Sequence, residues 1–297
     1  MSLPPRIFDQ SLRDRRRRRA FRQPVPGSDF LDAAVAADLA ERLLAVKRTF
    51  AVAADVGSPS PLASAALAGT GQVARVIRID RIAEAGADVI ADEGGLPLAP
   101  QSIDLAFSAL AFQWDDDLPG TLAQIRRALK PDGLLLAAFL GGDTLTELRQ
   151  SLAAAEAELT GGASPRVAPF AELRAAGDLL QRAGFALPVT DQDRRTVRYD
   201  GMLNLVRDLR AMGATNVLRE RSRAPLSRRV VVRAAEIYAE RFADADGRVR
   251  ATFDIISISG WAPHDSQQKP LKPGTATTRL ADALKTVERP AGEKTGR

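Results

Sequence analysis

The sequence predicts an α/β fold in which a mostly parallel sheet is covered by helices on both faces. Strand-length apolar runs alternate with segments of helical period between residues 50 and 139. Acidic residues close the first three of those runs in order, as Asp55, Asp80 and Asp92. Two later strand-like runs, 185–193 and 251–259, bracket a long helical stretch. A strand that feeds a helix before the next strand pairs parallel to it, and the helices then cover the sheet.

Residues 1–29 read as a basic N-terminal arm ending in the breaker cluster Gln23-Pro-Val-Pro-Gly-Ser-Asp29. From 30 to 46 the apolar residues Leu31, Val35, Leu39, Leu43 and Leu44 fall at helical spacing, which predicts an amphipathic helix. A buried strand follows at 50–55, a small-residue helix at 61–68, a strand at 72–80 and a short third one at 88–91. The fourth strand is 102–108, with a helix at 118–129. A turn at Lys130-Pro-Asp-Gly133 leads to the wholly apolar fifth strand, 134–139. A long helix at 143–159 would be capped by Asp143 or Thr144, and another at 170–183 ends at Gly184. The last two strands flank a helical insertion over about 199–242, too long to be a bare loop. Residues 30–266 thus make the domain, and 267–297, rich in Pro, Gly, Lys and Thr, a flexible tail.

Composition narrows the chemistry. The 297 residues include no cysteine and one histidine, His264. Disulfides, Cys-ligated zinc, iron–sulfur clusters, cysteine nucleophiles and metal sites with two histidines are excluded, and no metal is expected. His264, beside Asp265, reads as a surface loop residue. No apolar run reaches the length needed to cross a bilayer. The formal charge is +5, from 42 basic and 37 acidic residues, and the six arginines at 13 and 15–19 exceed that excess by themselves. The block suits a solvated arm that docks on an anionic membrane or partner; with no aromatic platform beside it, nucleic acid is not an expected partner.

Ligands of open α/β sheets sit beyond the carboxyl ends of the strands. A carboxylate after the second strand, Asp80, is placed to accept both hydroxyls of a ribose, and Asp92, with Glu93 next to it, to accept an exocyclic amine. Asp55 and Gly57 would hold the remaining arm of a nucleoside cofactor. Ser108 to Trp114, after the fourth strand, would wall the reacting group, and Gly142 and Asp143 face the same crevice after the fifth. Tyr199, Arg207, Met212 and Asn216 would line a peptide pocket in the insertion. Each acid alone reads equally well as a turn or cap. No catalytic residue is assigned.

The segments LPLAPQSIDLAFSALAFQWDDDLP and LKPDGLLLAAF resemble class I S-adenosylmethionine-dependent methyltransferases. That resemblance implies a Rossmann-like, seven-stranded sheet with S-adenosylmethionine as cofactor. Ile7-Phe8-Asp9, Gly141-Gly142-Asp143-Thr144-Leu145-x-Glu147-Leu148-Arg149, Met212-Gly213-x-x-Asn216 and Gly260-Trp261 narrow it. With these the chain is similar, over nearly its whole length, to the methyltransferase-like complex I assembly factors implicated as protein-arginine hydroxylases. This implies a protein substrate, a complex I subunit, and a cytoplasmic or matrix-side location with peripheral contact at the inner membrane. One departure stands out: where the methyltransferase pattern is Asp/Glu-x-Gly-x-Gly-x-Gly, this chain has Asp55-Val-Gly57-Ser-Pro59-Ser-Pro61. Proline removes an N–H and fixes φ, so cofactor binding is expected to be weak or lost. Methyl transfer, arginine hydroxylation and a non-catalytic chaperone therefore stand as alternative outcomes, with a transferase favoured.

Overall fold

The computed structural model describes residues 6–268 and 280–287, which fall into two units, 1–263 and 264–297. The first unit is built on a seven-stranded sheet of order β3-β2-β1-β4-β5-β7-β6. Its strands are β1 Phe50–Val56, β2 Val73–Asp80, β3 Val89–Ile90, β4 Ile103–Ala109, β5 Leu129–Leu140, β6 Ala186–Tyr199 and β7 Val249–Trp261. The pairs β1–β2, β1–β4, β2–β3 and β4–β5 are parallel, and β7 alone runs antiparallel to both neighbours. The strand order reverses at β1 and β4, so the crevice beyond their carboxyl ends is where this topology places a ligand.

The expected mostly parallel α/β fold is what the chain adopts. Strand β5 shows why its sequence is so apolar. Leu134, Leu136 and Ala138 enter the core on one face, Leu135, Ala137 and Phe139 on the other, and all are nearly inaccessible. A strand covered on both faces has no polar side to alternate with. The helices α2 (Phe30–Leu44) and α3 (Leu62–Gly69) lie on the first face, and α4 (Leu118–Ala128) and α6 (Leu173–Arg182) on the second. Leu39, Leu43, Leu122 and Ile125 are fully buried, and each such side chain stabilises by roughly 1.5–3 kcal/mol.

Helix α5 (Thr146–Thr160) starts later than expected. Thr144 does not cap it: its hydroxyl donates to the Asp254 carbonyl at 3.1 Å, and Leu145 turns into the left-handed region at φ 55°. The insertion consists of α7 (Met202–Ala211) and α8 (Arg228–Phe242) between β6 and β7. Strand β6 is longer than its sequence pattern suggests and forms an edge of the sheet, most of its side chains exposed or half-exposed.

The largest departure concerns the basic segment. The described part of the expected arm, 6–29, does not lie outside the core: Gln10–Arg22 form helix α1, with Asp9 accepting the Leu12 N–H as its cap. Arg13, Asp14 and Arg17 are buried, while Arg15, Arg19 and Arg22 face solvent. Just before α1, Phe8 pairs antiparallel with Leu218 and is 3% exposed. The sequence hides this packing, because the buried residues on this helix are charged, with Asp14 paired to Arg81 and Arg17 to Asp80.

In the second unit, the His264 ring pairs with the Ser266 hydroxyl, and Leu280–Ala283 form the short helix α9. The remainder of the expected flexible tail, 269–279 and 288–297, lies outside the described residues. Among the described residues, no helix is long and apolar enough to cross a membrane.

Candidate functional site

The turn after β1 sets the floor of the crevice. Asp55 is paired in register with Arg78 on β2, and Gly57 takes φ 73°, which glycine adopts at little cost. Arg78 is buried beneath the turn: it lies 3.1 Å from Asp55 and donates to the Ser60 and Ser58 carbonyls at 2.6 and 3.2 Å. Ser64 donates to Asp55 at 2.5 Å. Burial raises the Asp55 pKa, a shift that Arg78 opposes. Arg78 was not among the residues expected at the site. Its signal was an arginine inside the apolar strand Val73–Asp80, since a buried charge requires a partner.

Beside this turn Asp80 ends β2, 2% exposed. Both its oxygens are taken by one residue: Arg17 of α1 donates through Nη1 at 2.9 Å and through Nη2 at 2.8 Å. The Arg17 Nη2 also reaches the Pro59 carbonyl at 3.4 Å, and the Ile82 N–H supplies Asp80 with a third donor at 2.9 Å. Two parallel N–H···O bonds between a guanidinium and a carboxylate are each roughly twice as strong as a neutral hydrogen bond and fix the geometry of the pair. Asp92 is also engaged. It accepts the Gly94 N–H and pairs with Arg81, which in turn bonds Asp14 of α1 at 3.2 Å. Burial pushes the Asp92 pKa up, but those donors outweigh it and hold the carboxyl below its usual range. The backbone of Glu93 opens the 3₁₀ turn Glu93–Gly95 just after it.

Next to the acids lies a cavity of about 220 Å³ under α1, walled by Leu31, Leu110, Trp114, Leu140, Met212 and Val217. Arg17, Gly57 and Pro59 border it. Trp114 meets Phe8 edge to face, with ring centroids 5.6 Å apart. The loop after α7 clamps α1 from outside. Asp9 donates its N–H to Val217 at 2.8 Å, Arg16 bonds the Asn216 carbonyl, and Arg221 pairs with Asp9 at 3.1 Å. At the other edge Asp32 of α2, 8% exposed, accepts the Ser60 hydroxyl with one oxygen, while its second oxygen has no hydrogen-bond partner. Burial, with the nearby Asp55 charge, pushes the Asp32 pKa up to about 6.

Of the expected residues, Gly57 and Trp114 border the cavity, Asp55 and Asp80 lie buried beside it, Asp92 follows β3 with its carboxylate on Arg81, and several others have structural roles. Ser108 is fully buried and donates to the Val56 carbonyl, tying β4 to β1. Asp143 is an exposed partner of Arg194, and neither it nor Gly142 borders the cavity. Tyr199 is 7% exposed in the core with Leu205 and Tyr238, not in a peptide pocket. Asn216 ties its loop to the segment before α6, donating to the Pro165 carbonyl and accepting the Leu218 N–H, and it lines a second cavity of about 110 Å³ that Trp114 also borders. Of the other insertion candidates, Met212 borders the cavity under α1 and Arg207 does not. Among the described residues, no three His, Asp or Glu side chains are grouped to hold a metal ion.

A nucleoside cofactor with a methionine arm does not fit the crevice in this arrangement. Asp80, the expected ribose acceptor, has both oxygens engaged by Arg17, Pro59 offers a carbonyl but no N–H, and the cavity is smaller than the roughly 300–1,000 Å³ usual for such ligands.

Comparison with known proteins is consistent with the scaffold. The "Methyltransferase domain" family model matches residues 54–137. The chain is 38% identical over 291 residues to "Arginine-hydroxylase NDUFAF5, mitochondrial" of Danio rerio, covering 94% of this chain and 90% of that one. To the Homo sapiens protein of the same name it is 36% identical over 296 residues, covering 93% and 83%. It is also 41% identical over 175 residues to "Malonyl-[acyl-carrier protein] O-methyltransferase" of Xylella fastidiosa, covering 59% and 57%. A candidate methyltransferase of Bacillus halodurans superposes with a TM-score of 0.53 at 15% identity, over 78% of this chain and all of that one. At that identity the likeness is one of fold.

Proposed function

The chain belongs to the family of the mitochondrial arginine-hydroxylase NDUFAF5, and from that membership we propose that it acts on a protein partner in the assembly of respiratory complex I. It does so from a methyltransferase-like scaffold on which binding of S-adenosylmethionine has been lost. The observation that carries this reading is the Arg17–Asp80 pair: the carboxylate that would accept the ribose already has both oxygens engaged by the protein itself. With no nucleoside in the crevice, what remains is the cavity under α1 and the surface around it, a shape that serves partner recognition.

The chain's residues have evident tasks in that role. Trp114, Phe8 and Val217 hold the mouth of the crevice rigid, and Arg78 fixes the turn that forms its floor. The exposed face of α1, with Arg15, Arg19 and Arg22, gives a partner or an anionic membrane surface a cationic contact. The partner is read as a complex I subunit on the family resemblance, and the site of action as the matrix side, or its bacterial equivalent, of the inner membrane.

The test is deletion of the gene in its host, with NADH:quinone oxidoreductase activity and assembly intermediates read on native gels. Complex I should stall, and wild-type protein should restore it. Mass spectrometry of the subunits then reads the chemistry. A mass gain of one oxygen on an arginine that depends on the gene is hydroxylation, as the relatives' name states, and a gain of one methyl group is methyl transfer. Neither gain, with assembly restored, is the outcome expected for action by binding. Normal complex I in the deletion strain would refute the role.

A further inference from the structure

We infer that Arg17 is the residue that determines what this crevice accepts: helix α1 replaces the ribose of a nucleoside on Asp80, and this replacement, rather than the loss of glycines at 59 and 61, is what shuts the site. The inference rests on the reading that cofactor binding is lost and says which residue is responsible.

Position is the first argument. Arg17 borders the cavity, whereas Asp80 and Asp55 do not, so the guanidinium forms the wall between the empty space and the acid that would seat a ribose. Removing that side chain joins the two. Changing Pro59 or Pro61 leaves the wall standing.

The second argument is chemical. A ribose offers two neutral hydroxyl donors to a carboxylate. Arg17 offers two N–H donors in the same fork and adds a full positive charge, at 2.9 and 2.8 Å in a setting where Asp80 is 2% exposed. Both kinds of bond are charge-assisted through the carboxylate, but the fork adds the attraction of a full opposite charge in a buried setting, so the hydroxyls do not displace it.

The third is that α1 is held in place independently of Arg17. The Phe8–Leu218 bridge, the Arg81–Asp14 pair and the Arg221–Asp9 pair all anchor it. Gly213 sits at φ 70° directly on the helix, where a Cβ would come within 3.1 Å of the Arg17 Cα. The helix is seated from both sides and stays over the crevice.

The experiment is titration of purified full-length protein with S-adenosylhomocysteine, followed by calorimetry and by thermal shift. Wild-type protein should show no binding at millimolar ligand. Arg17→Ala should bind, with affinity at least about tenfold above the wild-type limit, and Arg17→Ala/Asp80→Ala should lose it again. Pro59→Gly/Pro61→Gly, with Arg17 intact, should behave as wild type. Gain of binding by the glycine pair but not by Arg17→Ala would overturn the inference while leaving the loss of cofactor intact. Binding by wild-type protein would overturn both. Should Arg17→Ala fail to fold, Arg17→Gln, which keeps most of the stem and one neutral donor for Asp80, takes its place in the same titration. Binding by Arg17→Gln supports the inference, and a folded Arg17→Gln that binds no more tightly than wild type refutes it.

Discussion

Breaking the pair between Arg17 and Asp80 should cost far more than breaking any of the other ion pairs of α1, and the structure sets the size of the effect. Side-chain exposures of 7% and 1% put both charges out of reach of water. Removing one partner of a buried pair strands the other, at a typical cost of 3–5 kcal/mol. Asp80 keeps the Ile82 N–H at 2.9 Å, a bond worth about 1 kcal/mol, so Arg17→Ala should cost about 3 kcal/mol. In a domain this large, each kcal/mol moves the melting temperature by roughly 2–4 °C, which gives a fall of about 6–12 °C. Urea denaturation of Arg17→Ala, Asp80→Ala and the double variant supplies the coupling directly. The double variant should be markedly less destabilised than the sum of the singles. By contrast, Arg22→Ala, whose partner Glu84 is 3.8 Å away and whose side chain is 74% exposed, should be nearly silent. A cost below about 1 kcal/mol for Arg17→Ala, with additive singles, would mean that the pair is solvated and that α1 does not close the crevice.

Other perturbations probe the same region. Phe8→Ala removes a ring packed on Trp114, Val217 and Leu218 and should cost roughly 3–5 kcal/mol on denaturation; a loss under 1 kcal/mol would detach the N-terminus from the core. Gly213→Ala forces a left-handed residue to carry a Cβ against α1, and should destabilise by roughly 1–3 kcal/mol and loosen α1 in hydrogen exchange. Asp32, whose pKa is raised from 3.8 to about 6, holds its proton more tightly folded than unfolded. Its contribution is therefore fully present below pH 3.8 and lost as pH rises to about 6, up to roughly 3 kcal/mol in all. Asp32→Asn keeps an acceptor for Ser60, so denaturation from pH 3.5 to 7 should show a flatter profile and greater stability at pH 7; an unchanged profile would mean that Asp32 is ionised throughout.

Much of the architecture could be read from residue order alone, because each strand of the parallel core carries its own signal. Strand β5 is apolar on both faces, and the Asp55, Asp80 and Asp92 series marks the ends of β1 and β2 and the turn after β3. What could not be read was pairing across distance. Arg17 and Asp80 are 63 residues apart, and a run of arginines has the same composition whether its guanidinium groups face water or a buried acid. Tyr199 shows the same limit: its residue type suits a binding pocket, but the structure places it in the core beside Tyr238. The damaged turn was visible in Pro59 and Pro61, whereas the side chain filling the space beside it was not.

The antiparallel bridge between Phe8 and Leu218 has a consequence for how the molecule is made. Its two halves are more than two hundred positions apart, so on a ribosome the amino-terminal helix emerges long before the segment that clamps it. The sheet from β1 to β5 can assemble while the helix is still unfastened, and closing so large a loop is slow relative to local events. The Arg17–Asp80 pair can form early, but the clamp on α1 from the loop after α7 is completed only once residue 218 has been made. An amino-terminal fusion that crowds Phe8 should therefore leave the sheet intact and α1 less protected in hydrogen exchange. A carboxyl-terminal tag avoids that hazard.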